Sequence, residues 1–126
     1  MKVVVIGVPR SGKTSYALGQ YDSQYVIHTD DLVSQDIPWS HRSELIAHWM
    51  EIIPEFCIEG CDAVRGLRKF LKQNPGKPPC DKVIWWGSPK DELSNSQKGF
   101  GKGCKKIFFD ILPELHELGV EVVVHG

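Results

Sequence analysis

The stretch Gly7-Val8-Pro9-Arg10-Ser11-Gly12-Lys13-Thr14 constrains this chain more than any other. It reads G-x-x-x-x-G-K-[ST], the pattern of a loop that wraps a polyphosphate. Such a loop needs a strand before it and a helix after it. Lys2-Val3-Val4-Val5-Ile6 is a β-branched run suited to a buried parallel strand, and Ser15-Tyr16-Ala17-Leu18-Gly19-Gln20 can continue as a helix. Gly7 and Gly12 let the backbone close around phosphates, while successive N–H groups and the helix N-terminus turn partial positive charge toward them. Lys13 is expected to reach the β- and γ-phosphates, and the Thr14 hydroxyl to hold Mg²⁺. The candidate nucleotide-binding residues are therefore Gly7, Val8, Pro9, Arg10, Ser11, Gly12, Lys13, Thr14 and Ser15.

A chain of 126 residues, 41% hydrophobic and 25% charged, suits one globular domain over 1–126. No apolar stretch approaches the ~20 residues of a membrane span. Met1 leads directly into the first strand, without a signal-peptide pattern. Cys57, Cys61, Cys80 and Cys104 form no C-x-x-C pair and read as reduced thiols of a cytoplasmic protein. The net charge of −1 conceals three blocks. Residues 1–60 carry four Lys/Arg against eight Asp/Glu, residues 61–106 eleven against four, and residues 107–126 none against four. The basic middle suits a phosphate-bearing partner, either nucleotide or nucleic acid. No stretch demands an oligomer, so monomer and homodimer both stay open.

Beyond the first helix, Tyr25-Val26-Ile27-His28 reads as a second strand ending in Thr29-Asp30-Asp31-Leu32. Ser40 reads as the N-cap of a helix with Leu45, Ile46, Trp49, Ile52 and Ile53 on its apolar face, stopped by Pro54. Residues 55–59 form a third strand. Asp62 is expected to cap a helix that buries Ala63, Val64, Leu67, Phe70 and Leu71 and turns Arg65, Arg68, Lys69 and Lys72 the other way. Residues 81–86 form a fourth strand. Residues 88–104, polar and carrying Gly99, Gly101 and Gly103, read as a mobile, lid-like segment. Residues 105–118 read as a helix that Pro113 kinks or restarts, with Gly119 as its C-cap. Residues 120–124 form the last strand. Five strands alternating with helices predict an α/β fold of three layers, a parallel sheet with helices on both faces. Ligands of such sheets bind beyond the carboxyl ends of the strands. Residues 7–14, 29–31, 59–62, 87–88 and His125 are therefore expected to converge on one cleft.

A phosphate-binding loop does not by itself choose between a switch GTPase, an ATPase and a kinase. No N-K-x-D guanine-reading sequence is present, which disfavours the first. Asp30, at the end of the second strand, favours a kinase: a carboxylate there faces the γ-phosphate and can take the proton of an incoming hydroxyl. Taken together, Ile6 to Thr14 and the strand ending Thr29-Asp30-Asp31-Leu32 resemble the small bacteriophage P-loop kinases of the polynucleotide-kinase type, over about residues 1–33. The resemblance implies a Mg²⁺-dependent kinase that uses ATP or another nucleoside triphosphate, with Asp30 activating the acceptor hydroxyl. It implies a hydroxyl on nucleic acid as acceptor, and the branch that phosphorylates 5-hydroxymethyluracil in DNA is the first candidate. The sequence departs from the family at Arg10, where a glycine is usual, and at Val33, where an arginine is often found.

Lys13 and Arg10 join Asp30 as candidate catalytic residues that neutralise charge, and Glu59 joins Thr14 as a candidate metal residue. Candidate acceptor contacts are Asp31, Trp39 (on which a base can stack), Arg42, Arg65, Arg68, Gln97, Lys98 and Lys102, with Lys90 as a further lid cation. Few residues follow the last strand to grip a donor base, so ATP, GTP and dATP are expected to serve within about tenfold of one another. A small-molecule or nucleoside kinase shares every residue named except the acceptor contacts, and a non-catalytic nucleotide-binding module shares the loop alone.

Overall fold

The computed structural model describes residues 1–9, 11–89 and 92–125. Its elements run β1 (Lys2–Gly7), α1 (Lys13–Gln20), a 3-10 turn (Ser23–Tyr25), β2 (Val26–His28), α2 (Asp30–Ser34), α3 (Trp39–Ile52), β3 (Phe56–Glu59), α4 (Ala63–Gln73), β4 (Lys82–Trp86), α5 (Asn95–Glu117) and β5 (Glu121–His125). The strands form one all-parallel sheet in the order β2-β3-β1-β4-β5.

Alternation along each strand splits the core in two. Val4, Ile6, Phe56, Ile58, Val83 and Trp85 face one way and pack with α3, α4 and α5. Val3, Val5, Cys57 and Ile84 face the other way and meet Ala17 of α1. Strand order explains this division. From β2 to β3, β3 to β4 and β4 to β5 the chain steps across the sheet in one direction, and the intervening helices share a face. Only the step from β1 to β2 runs back, and α1 lies on the opposite face. Right-handed crossovers require that inversion. It opens a crevice beyond the end of β1, where the chain leaves neighbouring strands in opposite directions.

Several elements depart from their sequence expectations. α3 begins at Trp39 with Pro38 at its N-cap, not at Ser40. Its buried residues are Ser43, Ile46, Ala47 and Met50. Ile52 is exposed, and Leu45, Trp49 and Ile53 are only partly covered. The face is rotated because Gly66 of α4 lies directly against Ile46 and Ala47. Asp62 stands at the N-cap of α4 but makes no capping bond; its carboxylate takes Arg42 instead. The largest departure is α5. The helix expected from residue 105 begins at Asn95, inside the segment read as lid-like, and runs on through Pro113. A capping box at Ser94 and Gln97 starts it. Burial of Gly101 and Cys104 in line with Ile107, Phe108, Ile111 and Leu115 offsets the weak helix propensity of three glycines.

Candidate active site

The site grows from the end of β1. Gly7 pairs with Trp86 of β4, and a Cβ at Gly7 would come within 2.2 Å of the Trp86 carbonyl oxygen. With no side chain there, Val8 N can donate to that same oxygen at 3.0 Å. The loop then turns through Gly12, whose φ of 91° is left-handed and favours glycine. α1 starts without a side-chain cap and with no acidic residue in its first turn, so its leading N–H groups are left for a ligand.

Lys13 is only 6% exposed. Its Nζ donates to the Val8 carbonyl at 3.2 Å and lies beside the Cys61 thiol. Burial pushes that thiol up to about 11, and Lys13 pulls it partly back. Among the described residues Lys13 makes no ion pair. Ser11, also buried, has a hydroxyl without a partner among the described residues.

Beside the loop, β2 and β3 place His28 opposite Glu59. Glu59 is 1% exposed. His28 Nδ1 lies 2.5 Å from its Oε1, and Thr14 Oγ1 donates to its Oε2 at 3.1 Å. The two candidate metal residues are therefore in direct contact. A hydroxyl beside a carboxylate is an oxygen-only donor set that suits Mg²⁺, which takes one or two protein oxygens along with phosphates. Asp30 and Asp31 open α2. With Thr14, Leu18, His28 and Glu59 they line a cavity of about 260 Å³. The Asp30 carboxylate, expected at the end of the second strand, is carried instead by the first residue of α2, and it lines one space with the Thr14 hydroxyl of α1.

The remaining candidates are distributed as follows. Arg42 is anchored, with Nε donating to Asp62 Oδ2 at 2.8 Å and Nη1 to the Ile37 carbonyl at 2.7 Å. Arg65 is packed between Trp39 and Phe100, its guanidinium 5.8 Å and 5.2 Å from the two ring centres. Arg68 lines a groove with Trp39, Arg65, Lys69 and Lys72. Gln97 accepts from Ser94 N at 3.0 Å, so its side chain closes the capping box. Lys98 and Lys102 are exposed on α5, which touches the loop where Gly101 meets Pro9 and Val8. His125 does not join the cavity of Asp30; it stacks on Trp86, ring centres 4.5 Å apart, near Tyr16. Arg10 and Lys90 lie outside the described residues.

Sequence reasoning missed His28 and Phe100, and gave Asp62 no role beyond a helix cap at the cleft edge. His28 reads as one histidine among five, and only the pairing of β2 with β3 shows what it holds. Asp62 carries the signal of a helix cap, and Phe100 is lost in a glycine-rich run.

No protein-family model matches this chain, and comparison with curated proteins gives no match.

Proposed function

We propose that this protein is a P-loop phosphotransferase, a three-layer kinase domain that moves the γ-phosphoryl group of ATP or another nucleoside triphosphate to an alcohol. The acceptor we assign is a hydroxyl on nucleic acid, with 5-hydroxymethyluracil in DNA as first candidate, the setting being a bacteriophage enzyme at work in its host's cytoplasm. One observation carries the reading: Lys13 is a buried cation that makes no ion pair among the described residues and lies against the Val8 carbonyl and the Cys61 thiol, at the uncapped start of a helix. A buried charge without a counter-ion is costly, and an anionic ligand removes that cost. The glycine-rich loop makes a polyphosphate the anion that fits.

The chemistry follows from what faces the loop. Asp30 accepts the proton of the acceptor hydroxyl, whose oxygen attacks the γ-phosphorus. The bond from that phosphorus to the β-bridging oxygen breaks, and the nucleoside diphosphate leaves with the electron pair. Lys13 and the N–H groups of the loop stabilise charge on the phosphoryl oxygens as it shifts. Thr14 and Glu59 would hold Mg²⁺, which supplies charge neutralisation at the phosphates.

The test is Asp30→Asn, assayed with γ-labelled ATP against hydroxymethyluracil DNA, ordinary DNA, 5′-hydroxyl oligonucleotides and free nucleosides. Transfer is expected to fall by about 10²–10⁴-fold while ATP affinity stays within about threefold of the parent. Transfer at the parent rate would remove Asp30 as the base. ATP binding without transfer to any acceptor would leave only a nucleotide-binding module.

A further inference from the structure

β5 closes the sheet with only β4 beside it. Glu121 N donates to the Asp81 carbonyl, and the His125 carbonyl accepts from Gly87 N. These residues turn their backbone groups toward β4, so by alternation those of Val122 and Val124 point out of the sheet. Among the described residues no turn or loop bond takes them. Val124 is 57% exposed. Open edges are ordinarily blunted by a lysine, a proline, a bulge or shortness. β5 reads Glu-Val-Val-Val-His, and its register with β4 is unbroken; the other edge, β2, has only three residues. α5 lies over this end of the sheet, with Phe108 stacked on Trp85 of β4, ring centres 4.6 Å apart, and Val122 in the same cluster. Phe100 and Gly103 face Arg65 of α4. At about 3.6 residues per turn, Phe109 stands half a revolution round from Phe100, on the flank away from α4 and toward the open edge. It is 49% exposed. Lys105, Leu112 and His116 share its stripe, and no carboxylate does.

We propose that this edge is the interface between two copies of the chain: β5 pairs antiparallel with β5 of a second copy about a two-fold axis at Val123, joining two five-stranded sheets into one. The strand's own sequence selects that register. Val122 stands opposite Val124 of the second copy and exchanges both backbone bonds with it, which uses the outward-pointing groups. Val123 meets its own copy. Glu121 stands opposite His125, a carboxylate against an imidazole, at each end of the ladder. The next in-phase registers shorten the ladder and set Glu121 or His125 against Val123 instead. α5, seated over β4 and β5, then runs beside its copy at about 10 Å, an ordinary distance for packed helices, with the Phe109 stripes between them. A two-fold contact of this kind closes on itself, so assembly stops at the dimer. The glycine-rich loops fall at opposite ends of the joined sheet and each cavity at Asp30 stays open, so the inference stands apart from the phosphotransferase reading.

The experiment is sedimentation equilibrium of the full chain from about 1 to 200 µM, where a monomer–dimer equilibrium with a micromolar dissociation constant is expected. Val124→Pro removes a donor that points away from β4, so it should leave the monomer's ladder intact and weaken the dimer about tenfold or more. Glu121→Lys sets a lysine against His125 at both ends and should weaken it about tenfold; the double variant Glu121→Lys, His125→Glu restores opposite charges and should return to within about threefold of the parent. Phe109→Glu, at an exposed position, should weaken the dimer about tenfold or more. Hydrogen exchange reads the edge directly: the Val122 and Val124 amides should exchange several-fold more slowly at about 200 µM than at about 1 µM. A monomer throughout, masses that grow past the dimer, or a dimer unchanged by Val124→Pro would overturn the proposal. Should Val124→Pro not fold, exchange at these two amides that does not slow with concentration would overturn it equally. A dimer unchanged by Glu121→Lys would overturn the register, and one unchanged by Phe109→Glu would overturn the contact between the two α5 helices.

Discussion

Replacing Glu59 by glutamine separates what this residue does for the fold from what it would do for the Mg²⁺ proposed at Thr14 and Glu59. The carboxylate is 1% exposed and serves two neighbours, accepting from Thr14 at 3.1 Å and meeting His28 at 2.5 Å. Glutamine keeps the volume, so no cavity opens. Its Oε1 can still serve His28, and the Thr14 hydroxyl can rotate to accept from Nε2. What is lost is charge assistance, about 1 kcal/mol for each bond. A neutral amide is also cheaper to bury than a carboxylate, which returns part of that. The net fall in stability is about 1 kcal/mol, a drop in Tm of roughly 3–6 °C for a chain of this size. The metal effect is larger. A Thr14–Glu59 pair that has lost its negative charge should raise the Mg²⁺ concentration needed for transfer by about 10–100-fold. The assays are thermal unfolding followed by circular dichroism and a Mg²⁺ titration of labelled-phosphate transfer at fixed ATP. A Mg²⁺ requirement within about threefold of the parent would refute the assignment of Glu59 to the metal. A fall in Tm well beyond about 10 °C would show that Glu59 holds the fold by more than charge assistance to two hydrogen bonds.

Further outcomes are expected at two glycines of α5 and at the buried thiols. Gly99→Ala places a methyl where no atom lies within 4 Å, so it should stabilise α5 by about 1 kcal/mol; calorimetry showing no rise in Tm would count against a helix at residues 95–104. The same change at Gly101 should gain less, since its Cβ would sit 3.3 Å from Pro9 Cδ. Burial pushes the thiols of Cys57 and Cys80 up to about 12 and that of Cys61 to about 11. Iodoacetamide at about pH 8 should therefore label these three far more slowly in the folded protein than in denaturant. Because these folded-state values lie above the ordinary 9.0, their contribution to stability is intact below about pH 9 and is lost as pH rises toward 11 and 12. A urea midpoint that does not fall between about pH 9 and 11 would contradict this.

The sequence by itself determined the parts of this protein whose signals are local. A β-branched run before a glycine-rich loop and a lysine needs no distant partner to be read, and β1 and α1 stand where that pattern puts them. Strand–helix alternation likewise sufficed for a parallel sheet with helices on both faces. Tertiary structure decided the rest, because it depends on which surfaces meet. The buried face of α3 turned to Ile46 and Met50 because α4 lies across it. Residues 95–104 became helix because Gly101 and Cys104 are covered by the core, a gain that propensity cannot foresee. His28 meets Glu59 only because β2 pairs with β3. Asp62, legible as a helix cap, gives its carboxylate to Arg42, which sits twenty residues earlier in the chain and reaches it only through the packing of α3 on α4.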